Sequence, residues 1–193
     1  MNRRPVLVIA GVSAVILVAV GAAFFQPWRL FTTTVVDEAL PPLSSASPSE
    51  SVVPRPIGSA SPSPTASEQA ATTEPTYTDL AVGTFIAHEH DTTGAVRVVA
   101  QPDGTRVLAI TGLRTSDGPD LRVWLTDQPV IEGTAGWGVF DDGTWVELGP
   151  LKGNVGDQVY AIPGDVDLTS IQSVSIWCAR FAVSFGAATL TPV

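Results

Sequence analysis

A chain of 193 residues, 45% of them apolar and with a formal net charge of −9, has room for one domain plus appendages. No Lys/Arg run marks its body, which argues against nucleic acid as a partner, and the acidity suits the solubility of an exported domain. The single cysteine, Cys178, excludes an intramolecular disulfide; it is free, bound to a metal or cofactor, paired between chains, or a small buried hydrophobe.

The N-terminus, 1–5, carries Arg3 and Arg4, and the run from Val6 to Phe25 is apolar or small and uncharged. About twenty such residues suffice for a helix across a hydrocarbon core of ~30 Å. We therefore expect a transmembrane helix over 6–28, with Phe24, Phe25 and Trp28 at the interface. Two arginines precede the span and one follows it, so a cytoplasmic N-terminus and an extracytoplasmic remainder of a single-pass cell-membrane protein are expected. A cleaved signal peptide is the alternative, with Ala19-Val20-Gly21 as its cleavage signal, but the run is long and lacks a clean A-x-A boundary.

Residues 29–76 differ in composition. Half of the 16 prolines fall between Pro41 and Pro75, among Ser, Ala and Thr. Such a segment buries too little apolar surface to offset chain entropy, so a disordered Pro/Ser-rich linker is expected, with an extended reach on the order of 100 Å.

From residue 77 to 193 the pattern is that of short strands. Gly83–His88, Ala95–Ala100, Arg106–Thr111 and Leu121–Leu125 are followed by Trp145–Leu148, Gln158–Ile162, Val174–Cys178, Phe181–Phe185 and Ala187–Leu190. A Pro-Asp-Gly turn at 102–104 joins two of them into a hairpin. No ten-residue stretch after the anchor has helical apolar spacing. An all-β, antiparallel β-sandwich, Ig-like or barrel-like, is expected.

The stretch Ser173–Gly186 contains a conflict of parity. Val174, Ile176 and Cys178 lie on one face of a strand, whereas Phe181, Val183 and Phe185 lie on the other. A bulge or bend near Ala179-Arg180 resolves it and leaves Cys178 at a strand end.

No hydrolase, nucleotide-binding, C-x-x-C or C-x-x-C-H motif is present. Asp141-Asp142-Gly143 and Asp165-Val166-Asp167 read as solvated turns rather than calcium loops. His88 and His90, at i and i+2, are expected to share a face, but without an axial methionine they do not make a copper site; no metal site is assigned. Cys178 is the better candidate: Arg180 favours a thiolate where the backbone stays extended, and points to solvent where the chain bends at Ala179. The glycine-rich segment 133–143, with Trp137 and Trp145 in or beside it, is either a ligand-stacking surface or a cap on the sandwich.

Several of these pieces together resemble the DM13 (electron transfer DM13) family: Gly83-x-Phe85 with His90-x-x-x-Gly94; Gly118-Pro119-Asp120-Leu121; Leu148-Gly149-Pro150-Leu151-Lys152-Gly153; Gly156-x-Gln158-x-Tyr160-x-Ile162-Pro163; Val174-x-Ile176-Trp177-Cys178; and Phe181-x-Val183-x-Phe185-Gly186. The resemblance spans about 80–190. It implies an extracytoplasmic β-sandwich-like module whose cysteine, here Cys178, acts in redox as a free thiol or as a ligand to a group such as haem. Trp177 and Arg180 beside it are the accompanying candidate cofactor contacts. The electron donor or acceptor is then a separate redox protein. The alternative is a non-catalytic envelope or ligand-binding module with a structural cysteine.

Overall fold

The computed structural model describes residues 3–43 and 75–193. Strands β1 (Val35–Asp37), β2 (Thr78–Ala87), β3 (Thr93–Ala100), β4 (Arg106–Arg114), β5 (Leu121–Thr126), β6 (Trp145–Pro150), β7 (Val155–Ile162), β8 (Ser173–Cys178), β9 (Val183–Thr189) and β10 (Thr191–Pro192) follow one helix, α1 (Arg3–Phe25). They form a single sheet in the order β1-β7-β4-β3-β2-β9-β8-β5-β6, with β10 on β2. The all-β expectation holds, and of its Ig-like and barrel-like forms the structure is nearer the second: one curled, open, half-barrel sheet rather than a sandwich of two. The difference arises in β2. Its residues 78–84 pair with β3, and its residues 85–87 pair with β9, so one long strand belongs to both halves. β10 extends the β9 edge along β2 in the same register.

Curling closes one core between the halves. Val96, Val98, Leu108, Ile110, Leu113 and Tyr160 from one half meet Leu121, Val123, Val174, Ile176, Cys178 and Phe185 from the other. Most come from alternate strand positions, as half-buried strands require, and a bulge between Ile110 and Leu113 resets the alternation in β4. A second, smaller cluster lies on the outer face of the β9-β8-β5 region, where Trp124, Trp177 and Ala187 are covered by Phe140, Val130 and Val139. These last three come from the segment 127–144, which contains two short 3₁₀ turns, Thr134–Gly136 and Val139–Asp141. The glycine-rich segment therefore caps the outside of the sheet.

The parity conflict is resolved by a full chain reversal. Residues 179–182 turn, with the Phe181 amide donating to the Cys178 carbonyl at 3.2 Å and Ala182 at φ 51°. A register shift opposite Ile176/Trp177 then passes over Phe185. Val183 faces inward because it pairs with Cys178, and the extra residue of the bulge lets Phe185 share that inner side with Ala188.

Helix α1 ends at Phe25 because Gln26 takes a left-handed conformation (φ 46°) and Pro27 opens a 3₁₀ turn, Pro27–Phe31. The predicted transmembrane segment, 6–28, thus runs three residues past the helix. Among the described residues no helix is long and apolar enough to cross a membrane, so the span does not follow from the fold itself.

The expected disordered linker, 29–76, divides into two parts. Residues 44–74 lie outside the described residues. Residues 29–43 dock on the β-domain. β1 pairs in parallel with β7, Thr34 donates its amide to Asn154 Oδ1 at 2.7 Å, and Arg97 Nη2 donates to the Pro41 carbonyl at 2.7 Å. Glu38 accepts from Lys152 Nζ and from the Val159 amide. Pro/Ser composition hid this short strand, whose Val-Val-Asp is flanked by threonines and acidic residues.

Gly156 makes the docking sterically feasible. Its φ is +107°, and a Cβ there would run into the Val36 carbonyl. We predict that Gly156→Ala lowers stability by about 2 kcal/mol and frees β1, measured by urea denaturation and by increased protease cleavage within 29–43.

Candidate functional site

Cys178 ends β8 and pairs with Leu121 of β5 and Val183 of β9. Three connections meet over it: the turn 179–182, the bend 88–92 and the turn 115–120. The Ala179 amide donates to the Asp120 carbonyl at 2.9 Å, so the Gly118-Pro119-Asp120 turn is fastened across the end of β8. A Cβ on Gly118 would press on Phe185 Cζ and Leu121, which explains the glycine there.

The sulfur is fully enclosed, with 0% exposure. Burial pushes the thiol pKa up; the backbone amides of Phe181, Arg180 and Asp120 oppose that, and the Glu89 carboxylate adds to it. The net effect keeps Cys178 a thiol. The expected activation by Arg180 does not occur, because the guanidinium reaches the other way. Arg180 Nη1 donates to the Phe24 carbonyl at 2.6 Å and lies 5.0 Å from the Phe24 ring centroid. It thereby satisfies one of the carbonyls left open at the C-terminus of α1. Phe181 stacks on Phe25 at 5.9 Å in the same junction. A cavity of about 320 Å³ remains between the end of α1 and the domain, lined by the rings of Phe25, Phe181 and Phe185 and by the charged Arg29, Glu89 and Asp117. Cys178 does not line it.

An axial haem thiolate needs one open face on its sulfur. Cys178 has none, and no described cavity is lined by it. The residues present do not fit haem.

Trp177 is adjacent in sequence and opposite in space. Strand alternation sends Cys178 into the main core and Trp177 into the outer cluster, so the two do not share a pocket. Trp177 stacks on Trp124 (centroids 4.9 Å, 24°), and Trp124 stacks on Trp145 (4.0 Å, 3°). Trp145 is 42% exposed. Sequence reasoning singled out Trp145 as loop-associated but missed Trp124, whose signal was its place opposite Ser175 on the outward parity of β5.

His88 and His90 do not share a face, because the chain bends at 88–90 instead of continuing as strand. His90 packs on Phe185 at 3.9 Å, whereas His88 packs on Phe140 at 5.6 Å. Among the described residues no cluster of three or more metal-ligating side chains occurs. The motif residues Gln158 and Tyr160 are structural. Buried Gln158 accepts from Tyr160 Oη (2.7 Å) and from the Lys152 amide (3.1 Å), and donates to the Gly153 carbonyl (2.7 Å). Burial pushes the Tyr160 phenol up to about 12.

His88 is 7% exposed, and neither ring nitrogen has a hydrogen-bond partner. The nearby Ile131 backbone offsets burial only partly, so the pKa lies below its ordinary 6.5. The unfolded chain then binds the proton more readily, and stability falls as pH drops below about 6.5 toward the depressed folded value. His88→Phe is expected to flatten the stability profile between pH 7 and 5, measured as urea midpoints across that range.

The model of the family described as Electron transfer DM13 matches residues 84–190, more than half of the chain. No curated protein and no solved structure matches it significantly. The matched region holds the strands that surround the enclosed sulfur, together with the Gln158 network and the Gly118-Pro119-Asp120 turn. The chain belongs to the DM13 family, a family of electron-transfer modules.

Proposed function

We propose that this protein is a single-pass, membrane-anchored, extracytoplasmic electron-transfer module in which Cys178 is the redox-active group and a separate redox protein is the partner. The observation that carries this reading is the family match over 84–190, which takes in β8, β9 and β5 around Cys178. The anchor is supported by the character of α1. No charge lies between Val6 and Phe25, and Ile9, Val12, Val15, Leu17, Val18 and Val20 are all exposed. The ground for the anchor is thus the uncharged sequence itself, and Phe24, Phe25 and Trp28 at its end suit the interface.

An enclosed thiol does not meet its partner by collision. Cys178 therefore exchanges electrons during opening of the turn 179–182, when the thiol passes one electron to the partner and its S–H proton to water. The closed state gives a thiol that is slow toward soluble reagents, and the open state one that is redox-active. We expect Cys178 in the native chain to react with a soluble aromatic disulfide at least a hundredfold more slowly than after denaturation. We also expect a voltammetric couple in the full chain that disappears in Cys178→Ala, a variant costing only about 1 kcal/mol of folding. Identical voltammograms from the two chains would remove Cys178 from the function.

The exposed Trp145 favours one second reading, a binding module for a planar ligand. There, Trp145→Ala abolishes binding and Cys178→Ala has no effect.

A further inference from the structure

A second route for charge across the fold, separate from the thiol, lies in the outer aromatic cluster. Trp145, on the edge strand β6, is 42% exposed; Trp124 is 5% and Trp177 is 1% exposed. The three rings thus run from solvent to interior in order. Trp145 and Trp124 are nearly parallel (3°) with centroids 4.0 Å apart, closer than the roughly 4.5–7 Å common for aromatic pairs that settle into offset or edge-on packing. Trp124 and Trp177 continue the stack at 4.9 Å and 24°. Trp177 is then joined through one peptide unit to Cys178. Trp124 Nε1 donates to Glu147 Oε2 at 3.4 Å, so a carboxylate stands at the middle ring.

We infer that Trp145, Trp124 and Trp177 form a one-electron relay, with the exposed ring of Trp145 as the docking face for an outer-sphere, metal-centred electron acceptor. This deepens the electron-transfer reading above and rests on it. The acceptor takes one electron from Trp145. Trp124 refills Trp145, and Trp177 refills Trp124, which leaves the electron hole on the buried ring next to Cys178. No bond breaks in these exchanges. While the hole rests on Trp124, its Nε1 proton passes to Glu147 and returns when the ring is refilled. The acceptor gains one electron, and the stack as a whole loses one. The Glu147 carboxylate also favours positive charge on the middle ring, and Arg122, paired with it at 2.7 Å, holds it in place.

The test is flash-quench photo-oxidation of the full chain in detergent micelles, with a tris-bipyridyl ruthenium photosensitiser and transient absorption of the tryptophanyl radical as readout. The chain has 5 tryptophans, so Trp28 and Trp137 serve as controls. Trp145→Phe is expected to cut the radical yield at least fivefold, whereas Trp28→Phe and Trp137→Phe change it less than twofold. Trp124→Phe, which keeps an aromatic ring in the core, is expected to leave the initial oxidation of Trp145 intact and to shorten the radical lifetime at least threefold, because the hole is stranded at the surface. Glu147→Gln should change the ratio of neutral to cationic radical while the yield stays constant. A yield indifferent to Trp145→Phe, or a lifetime indifferent to Trp124→Phe, would overturn the relay. Cys178→Ala leaves this photochemistry intact and removes only the thiol couple, so failure of the relay and failure of the Cys178 assignment appear in different measurements.

Discussion

The two-faced character of one strand governs this molecule. β8 is buried on both sides, and its period of two sends Ile176 and Cys178 into the main core while Ser175 and Trp177 meet the outer cluster. The placement of the lone sulfur and of the stacked indoles follows from that division. The sulfur is wrapped by hydrocarbon and by the three connections that close over the strand end. The indole is stacked in a separate layer under the segment 127–144. A register slip of one residue would exchange the two faces, and the bulge at Phe185 holds the neighbouring strand to the register that prevents it.

The caps at each end of β8 show how the fold invests in this arrangement. Thr126 Oγ1 donates to the Phe140 carbonyl, and the Ser184 amide donates to the Trp137 carbonyl, so the outer layer is hydrogen-bonded to the strands on either side of it. At the other end, the Asp120 carbonyl receives the Ala179 amide. Buried serines meet across β8 and β9, Ser175 to Ser184 at 3.0 Å, which satisfies polar groups that the double burial would otherwise strand.

The legibility of the sequence tracked how local each signal was. Strand positions from β2 to β8 were readable because alternation and turn residues act over a few positions, whereas the expected strands Phe181–Phe185 and Ala187–Leu190 are one strand, Val183–Thr189, with 181 and 182 in the turn before it. The end of β8 at Cys178 was readable as a parity conflict for the same reason. The curl into one sheet was not, since nothing local to Gly83 or Phe85 states that β2 exchanges partners midway. Arg180 misled for a similar reason: its sequence neighbour is Cys178, but its partner is Phe24, 156 positions away. The stack was half visible. Trp177 and Trp145 stood out individually, yet their connection through Trp124 depends on the pairing of β5 between β6 and β8. β1 escaped notice because its three residues draw their pairing from β7, far along the chain.

That small strand has a geometric consequence. The chain reaches the domain from α1, adds β1 beside β7, and contacts Arg97 through Pro41 before the stretch 44–74 begins; it re-enters at Thr78, which pairs with Ala100 at the far end of β3. Both ends of the Pro/Ser stretch are therefore stitched to the same body. Its contour length does not set how far the electron-transfer module stands from the end of α1. That standoff is decided by the few residues from Gln26 to Thr34, whatever the number of residues between 43 and 75.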